Sequence, residues 1–178
     1  MENNRLLFRA VVEAYYYDND GNDKTVKLLL NNVAVYTPVT VGVADEVLVN
    51  AIRNTNLNAK ERNSVYSYFK ANNECSDSEW FVFEAETIEQ CTGLKDKNGR
   101  LIYEGDIVKI TGDAMTIGLK YMDCLFKVIW SDNGFWFEMP DENDCLGFCE
   151  YWEYEVVGNI HVNPELLERK INENKRFI

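Results

Sequence analysis

From Trp80 to Ile160 the chain is a succession of short β-type runs closed by turn dipeptides, and this pattern constrains its fold most tightly. Trp80–Ile88 (WFVFEAETI) alternates apolar and polar residues, which predicts a strand. Further strands are expected at Leu101–Tyr103, Ile107–Ile110, Leu125–Trp130, Phe135–Glu138 and Tyr154–His161. Short strands at such close spacing predict a small barrel or a sandwich. Asn98-Gly99 is the strongest short hairpin signal, because a tight turn of that hand needs positive φ at both central residues. Gly105-Asp106 repeats the device. Asn98, Gly99, Gly105 and Asp106 are therefore read as structural turn residues. The charges of Lys95, Asp96, Lys97 and Arg100 are read as solvated beside them. Ser131–Gly134 (SDNG) predicts another tight connection, between two central strands.

The earlier half differs. Arg5–Tyr17 is rich in β-branched and aromatic residues, DNDGND follows, and TVKLLL comes next, so a hairpin is expected. Carboxylates cluster in its turn, but Gly21 lies only three residues after Asp18, and the calcium-loop template fails. Val33–Val43 carries Pro38 and predicts a short edge strand. Asp45 is a candidate cap for a helix with Val47, Leu48, Ala51 and Ile52 on one face. Asn58 is expected to cap a second helix, whose apolar side is Ala59, Val65, Tyr66 and Phe69. Asn163, Pro164 and Glu165 predict a last helix near the C-terminus.

Chemistry is mostly excluded. A Ser or Cys nucleophile needs a histidine beside it, and His161, the single histidine, sits at a strand end where a satisfied or exposed ring is expected. Glycines are scattered at turns and form no phosphate loop. Cys75, Cys91, Cys124, Cys145 and Cys149 make no Cys-x-x-Cys, and Cys145 and Cys149 alone are close. Free thiols, buried or half-buried, are expected, with no metal and no cofactor. A carboxylate pair for hydrolysis is conceivable, but sequence spacing names none. The opening MENNRLLFRAVVEAYYY is acidic and amide-rich where a secretory leader is basic and then apolar, so a cytoplasmic chain is expected. No apolar run approaches the roughly 18–20 residues that span a bilayer, so no membrane partner is expected.

Charge narrows the partners. Thirty acids against 18 bases give a net charge of −12, the wrong sign for a duplex nucleic-acid binder unless Lys95, Lys97, Arg100, Lys109, Lys120 and Lys127 gather on one face. Between Lys127 and Arg169 there is no Lys or Arg, while aromatics and acids interleave. Two readings stand for that interval: a solvated loop whose aromatics pack on the β core, or a surface for a basic partner or a sister subunit. Glu142, Asp144, Phe148, Tyr151 and Trp152 are the candidate interaction residues. A cation site at Asp141, Glu142 and Asp144 is a third reading, with no loop template behind it. Trp130, Phe135, Trp136 and Phe137 cannot all face inward, so at least one large aromatic must look outward.

TGLKDKNGRLIYEGDIVKI (Thr92–Ile110), a V-I-W-x-x-x-x-G-F pair at Val128–Phe135 and YEVVGNIHVNPELLE (Tyr154–Glu168) resemble the YopX family of phage, prophage and mobile-element proteins. LFRA (Leu7–Ala10) is similar to that family's usual opening. The resemblance implies an SH3-type small barrel in the C-terminal half and a chain that assembles into homo-oligomers. It implies no activity and supplies no catalytic residue. The segment Val43–Ala71 is expected to be a lineage-specific addition.

The expectation is thus an α+β, mainly β chain in three parts. Residues 1–91 form an N-terminal hairpin and two-helix region, residues 92–162 an SH3-like barrel, and residues 163–178 a C-terminal helix. Its expected role is non-enzymatic: a protein-binding, self-associating accessory module, with a nucleic-acid-binding small barrel and a carboxylate enzyme as alternatives.

Overall fold

The computed structural model describes residues 7–31, 33–35, 40–73, 80–111, 121, 124–132, 134–139 and 144–167; of Trp80, Phe83 and Asp144 it describes the backbone alone. It divides into two compact units, Met1–Gln90 and Cys91–Ile178.

In the first unit, β1 (Phe8–Tyr17) and β2 (Asp23–Asn31) form the expected hairpin, with Tyr17 opposite Asp23. Its turn is closed by Asp18, whose Oδ1 accepts the N–H groups of Asp20 and Asn22, both at 2.9 Å. These bonds hold the Asp18 carboxyl below its ordinary pKa, the Asn22 backbone N–H first. The carboxylate cluster there is accounted for by turn chemistry.

Strand alternation sends Ala10, Val12 and Ala14 into a core with Leu28 and Leu30 of β2. Two helices complete it. In α1 (Asp45–Arg53), Leu48 and Ile52 are buried; in α2 (Ala59–Ala71), Val65 and Phe69 are. Asn58 caps α2 as expected: its side chain accepts from Lys60 and Glu61, and Glu61 reaches back to the Asn58 N–H at 2.9 Å. Asp45 does not cap α1. Ala44 holds the cap position without a side-chain bond, and Asp45, already helical, accepts the Tyr66 hydroxyl at 2.6 Å. Ala59, expected on the apolar face of α2, is exposed.

Val33–Val43 is not one strand. It gives β3 (Ala34–Val35) and β4 (Thr40–Ala44), and β4 sits in the middle of a three-stranded sheet, order β3-β4-β5, with Val41 and Val43 buried. Pro38 lies outside the described residues. Trp80–Ile88 likewise splits, into β5 (Trp80–Glu84), which pairs with β4, and β6 (Thr87–Lys95), whose residues up to Gln90 pair with β1. Alternation alone does not reveal a break when the residues on either side keep the same pattern.

The register that sets β1 against β6 places Arg9 opposite Glu89. Both are buried, and Arg9 Nε and Nη2 each lie 2.6 Å from Glu89 Oε2. A pair this dry is costly to form and costlier to break.

In the second unit, Cys91 and Lys95 at the end of β6 pair with β7 (Leu101–Tyr103). The remaining strands are β8 (Asp106–Thr111), β9 (Leu125–Ser131), β10 (Gly134–Met139), β11 (Asp144–Leu146) and β12 (Glu153–Asn159). They form one antiparallel sheet in the order β11-β10-β9-β8-β12. Val108, Ile110, Phe126, Val128, Phe137, Tyr154 and Val156 line its buried face together with Ile102. The sheet is a curled half-barrel, and among the described residues no ladder joins β11 to β12. The last strand ends at Asn159, short of His161. Gly158 there is a close-approach position: a Cβ would stand 2.6 Å from Leu166 Cδ1. The expected final helix is described only as a turn at 165–167, and Asn163 turns its side chain back to the Asn159 N–H at 3.4 Å. Residues 168–178 lie outside the described residues.

Candidate interaction surface

Asn98-Gly99 does not form the expected turn. Gly99 has φ +82°, but Asn98 does not share it: among the described residues Asp132 alone, apart from glycines, has positive φ. The reason is Asp96. Its Oδ1 accepts the N–H groups of Asn98 and Arg100 at 2.8 and 2.9 Å, and its own N–H donates to the Arg100 carbonyl at 2.8 Å. Its Oδ2 takes the Val156 N–H of β12 at 3.2 Å. Asp96 was expected to be solvated; it is buried. Burial raises the pKa of its carboxyl, but the N–H groups of Arg100, Val156 and Asn98 outweigh burial and leave it lowered.

Gly105-Asp106 is not a second hairpin. Gly105 has φ +76°, and Asp106 Oδ2 accepts the Tyr103 N–H at 2.9 Å. The two residues turn a corner: β7 pairs with β6, whereas β8 pairs with β9 and β12. Gly105 is tied to the sheet, donating to the Val128 carbonyl at 2.8 Å and accepting from Ile160 at 2.9 Å. At Ser131–Gly134 the connection is tight, since Gly134 faces Ser131 across two residues; Asp132 takes φ 48°, and Asn133 lies outside the described residues.

The acidic, aromatic interval resolves residue by residue. Phe148 packs on Phe137, ring centroids 4.1 Å apart, and on Tyr154 at 5.5 Å. Trp152 is half-buried against the same core. Tyr151 is 72% exposed, and its neighbours Glu150 and Glu153 are exposed as well. Asp144 has its backbone in β11 opposite Met139; Asp141 and Glu142 lie outside the described residues. Of the three candidate rings, Phe148 and Trp152 serve the core and Tyr151 stands outward, and the described carboxylates next to it in sequence and in solvent are Glu150 and Glu153.

The loop that carries Tyr151 is tied down by Tyr154. Its hydroxyl accepts the Cys149 N–H at 2.7 Å and donates to the Cys149 carbonyl at 2.8 Å. The Trp152 N–H also donates to the Cys149 carbonyl, at 3.2 Å. The 149–152 turn is therefore closed on itself and tied to β12 at Cys149. Burial pushes the Tyr154 hydroxyl above its usual pKa. No sequence signal marked Tyr154 as the clamp, because a strand tyrosine is ordinarily read as core.

Trp130 is the outward aromatic. It is 49% exposed and meets Phe135, its cross-strand partner, edge-on at 4.8 Å. Phe137 is fully buried, and Trp136 donates its Nε1–H to the Ser131 carbonyl at 2.9 Å.

Of the cations suggested for nucleic acid, Lys97 and Lys127 meet carboxylates, and Lys95 and Arg100 are exposed. Lys97 Nζ lies 2.7 Å from Glu155 and Lys127 Nζ 3.8 Å from Glu138, while Lys109 stands opposite Glu155 in the β8–β12 register. Lys120 lies outside the described residues. Among the described residues no three His, Cys, Asp or Glu side chains gather as a metal site. Cys91, Cys124 and Cys149 are half-buried cysteines outside any disulfide, Cys145 is exposed against expectation, and Cys75 lies outside the described residues. No helix among the described residues is long and apolar enough to cross a membrane.

Fold and surface together define a mainly β protein with an outward acidic, aromatic loop. Residues 45–168 match the model of the YopX protein family, and the chain belongs to that family. The match takes in α1 and α2, so Val43–Ala71 is family structure for nearly all its length, not a lineage-specific addition. The chain is 35% identical over 74 residues to the SPbeta prophage-derived uncharacterized protein YopX of Bacillus subtilis (strain 168); the match covers 39% of this chain and 52% of that protein. The chain thus spans about half the length of that relative. Protein EF1440 from Enterococcus faecalis, known from a crystal structure, is 23% identical with a TM-score of 0.40, over 88% of this chain and 97% of that one.

Proposed function

We propose that the chain is a non-enzymatic accessory protein of a prophage or related mobile element, working in the host cytoplasm. Its second unit presents the segment Glu150–Glu153 to a basic protein partner. One observation carries this reading: Tyr151 is 72% exposed between two exposed glutamates, on a loop pinned through Cys149 to the buried Tyr154. A tyrosine ring has only two side-chain torsions to order when a partner covers it, and flanking charge selects the partner's sign.

The strand order supports an SH3-type scaffold. The first strand of the five-stranded sheet, β8, is flanked by the second and by the last, which is how a small five-stranded barrel begins to close. Self-association belongs to the same reading, with Trp130 as a second ring open to contact. The net charge of −12 and the pairing of Lys97 and Lys127 with carboxylates argue against the nucleic-acid alternative.

The test is affinity capture from nuclease-treated host extract after prophage induction, with wild type and Tyr151→Ala side by side. The reading expects a basic protein captured by the wild type and lost with the variant and with added salt. Identical capture by both would refute it.

A further inference from the structure

The helical hairpin of the first unit holds a cavity of about 300 Å³, lined by Val49, Ile52, Arg53, Ala59, Arg62, Asn63 and Tyr66. Its volume is at the lower end of small-molecule sites, roughly that needed for a single-ring ligand. Its lining is mainly apolar, with Ile52 buried and Val49 and Tyr66 half-buried.

Its polar groups have one sign. In a chain with 30 acids and 18 bases, this lining contains two arginines and no carboxylate. Asp45, the nearest acid bonded to a lining residue, is occupied by the Tyr66 hydroxyl, and Glu61 by the Asn58 N–H. Arg62 Nε is buried without a hydrogen-bond partner. Nε itself is out of a ligand's reach, but a partly desolvated guanidinium gains from an anion set against its terminal nitrogens. The Tyr66 ring and a planar guanidinium are both surfaces on which a flat ring stacks.

We propose that the groove between α1 and α2 binds a small aromatic carboxylate, its ring over Ile52 and Tyr66 and its carboxylate at Arg62 and Arg53. The site is separate from the Glu150–Glu153 surface and does not depend on it.

The test is a titration of the full chain with phenylacetate at low salt, followed by amide proton–nitrogen spectra. Phenylacetamide, neutral and nearly isosteric, is the control. The proposal expects saturable shifts at Val49, Ile52, Ala59 and Asn63 with phenylacetate alone. Arg62→Met should weaken binding about tenfold or more, the loss of a charge-assisted bond. Arg53→Gln should weaken it several-fold, and this exposed position serves as the readout if Arg62→Met does not fold. The absence of saturable shifts would overturn the proposal, as would equal shifts with phenylacetamide. So would a folded variant at either arginine that binds phenylacetate as tightly as the wild type.

Discussion

Asp96 accepts the Val156 N–H through Oδ2 at 3.2 Å, joining a turn to a strand 60 residues later. The same carboxylate holds Asn98 and Arg100. One buried side chain thus shapes the 96–100 turn and ties it to β12, the strand that follows the exposed Tyr151 loop. Asp96→Ala should destabilise the second unit by about 2–4 kcal/mol, since three backbone donors lose an ionised acceptor. Urea unfolding measures this; Asp96→Asn, which keeps an acceptor, should lose less.

The acid limb of stability follows from the same residue. Its folded pKa lies below the unfolded carboxyl value of about 3.9. The unfolded chain therefore takes up the proton first. Stability from Asp96 is present above that value and is lost as the pH falls through the folded pKa. Asp18, also lowered, contributes with the same sign. Urea midpoints measured from neutral pH into acid should fall, and fall less steeply in Asp96→Asn.

Arg9→Met should cost about 3–5 kcal/mol, because Glu89 would stay buried without its cation. Replacing Glu89 with leucine in the same chain should recover much of the loss. A double-mutant cycle by thermal unfolding reads the coupling.

Tyr154→Phe removes one hydroxyl and leaves the half-buried loop at Cys149 without its clamp. The expected loss is about 1–3 kcal/mol. Faster hydrogen exchange at the Cys149 and Trp152 amides should accompany it, while the first-unit amides of Val12 and Leu28 stay as protected as before.

Much of this architecture was legible because strand periodicity and turn chemistry are local. The hairpin of β1 and β2, the capping of α2 by Asn58 and the tight Ser131–Gly134 connection all follow from neighbours in sequence. The errors come from tertiary partners. Asp96 looks like a solvated turn charge until Val156 reaches it, and nothing local marks Arg9 as the buried partner that register sets against Glu89. Gly105-Asp106 resembles a hairpin because the same residues serve a corner. Of the interaction residues, Tyr151 alone is a large ring in the open; Phe148 and Trp152 have a composition suited to an interface but a position within the packing.

The most direct measurement is photo-crosslinking in induced host cells, with a benzophenone side chain placed at Tyr151 in one version and at Tyr17 in another. Tyr17 is 61% exposed and lies on the first unit, so it controls for exposure alone. The account predicts a discrete adduct with a basic protein from position 151 and not from position 17. No adduct at 151, or the same adducts from both positions, would contradict it.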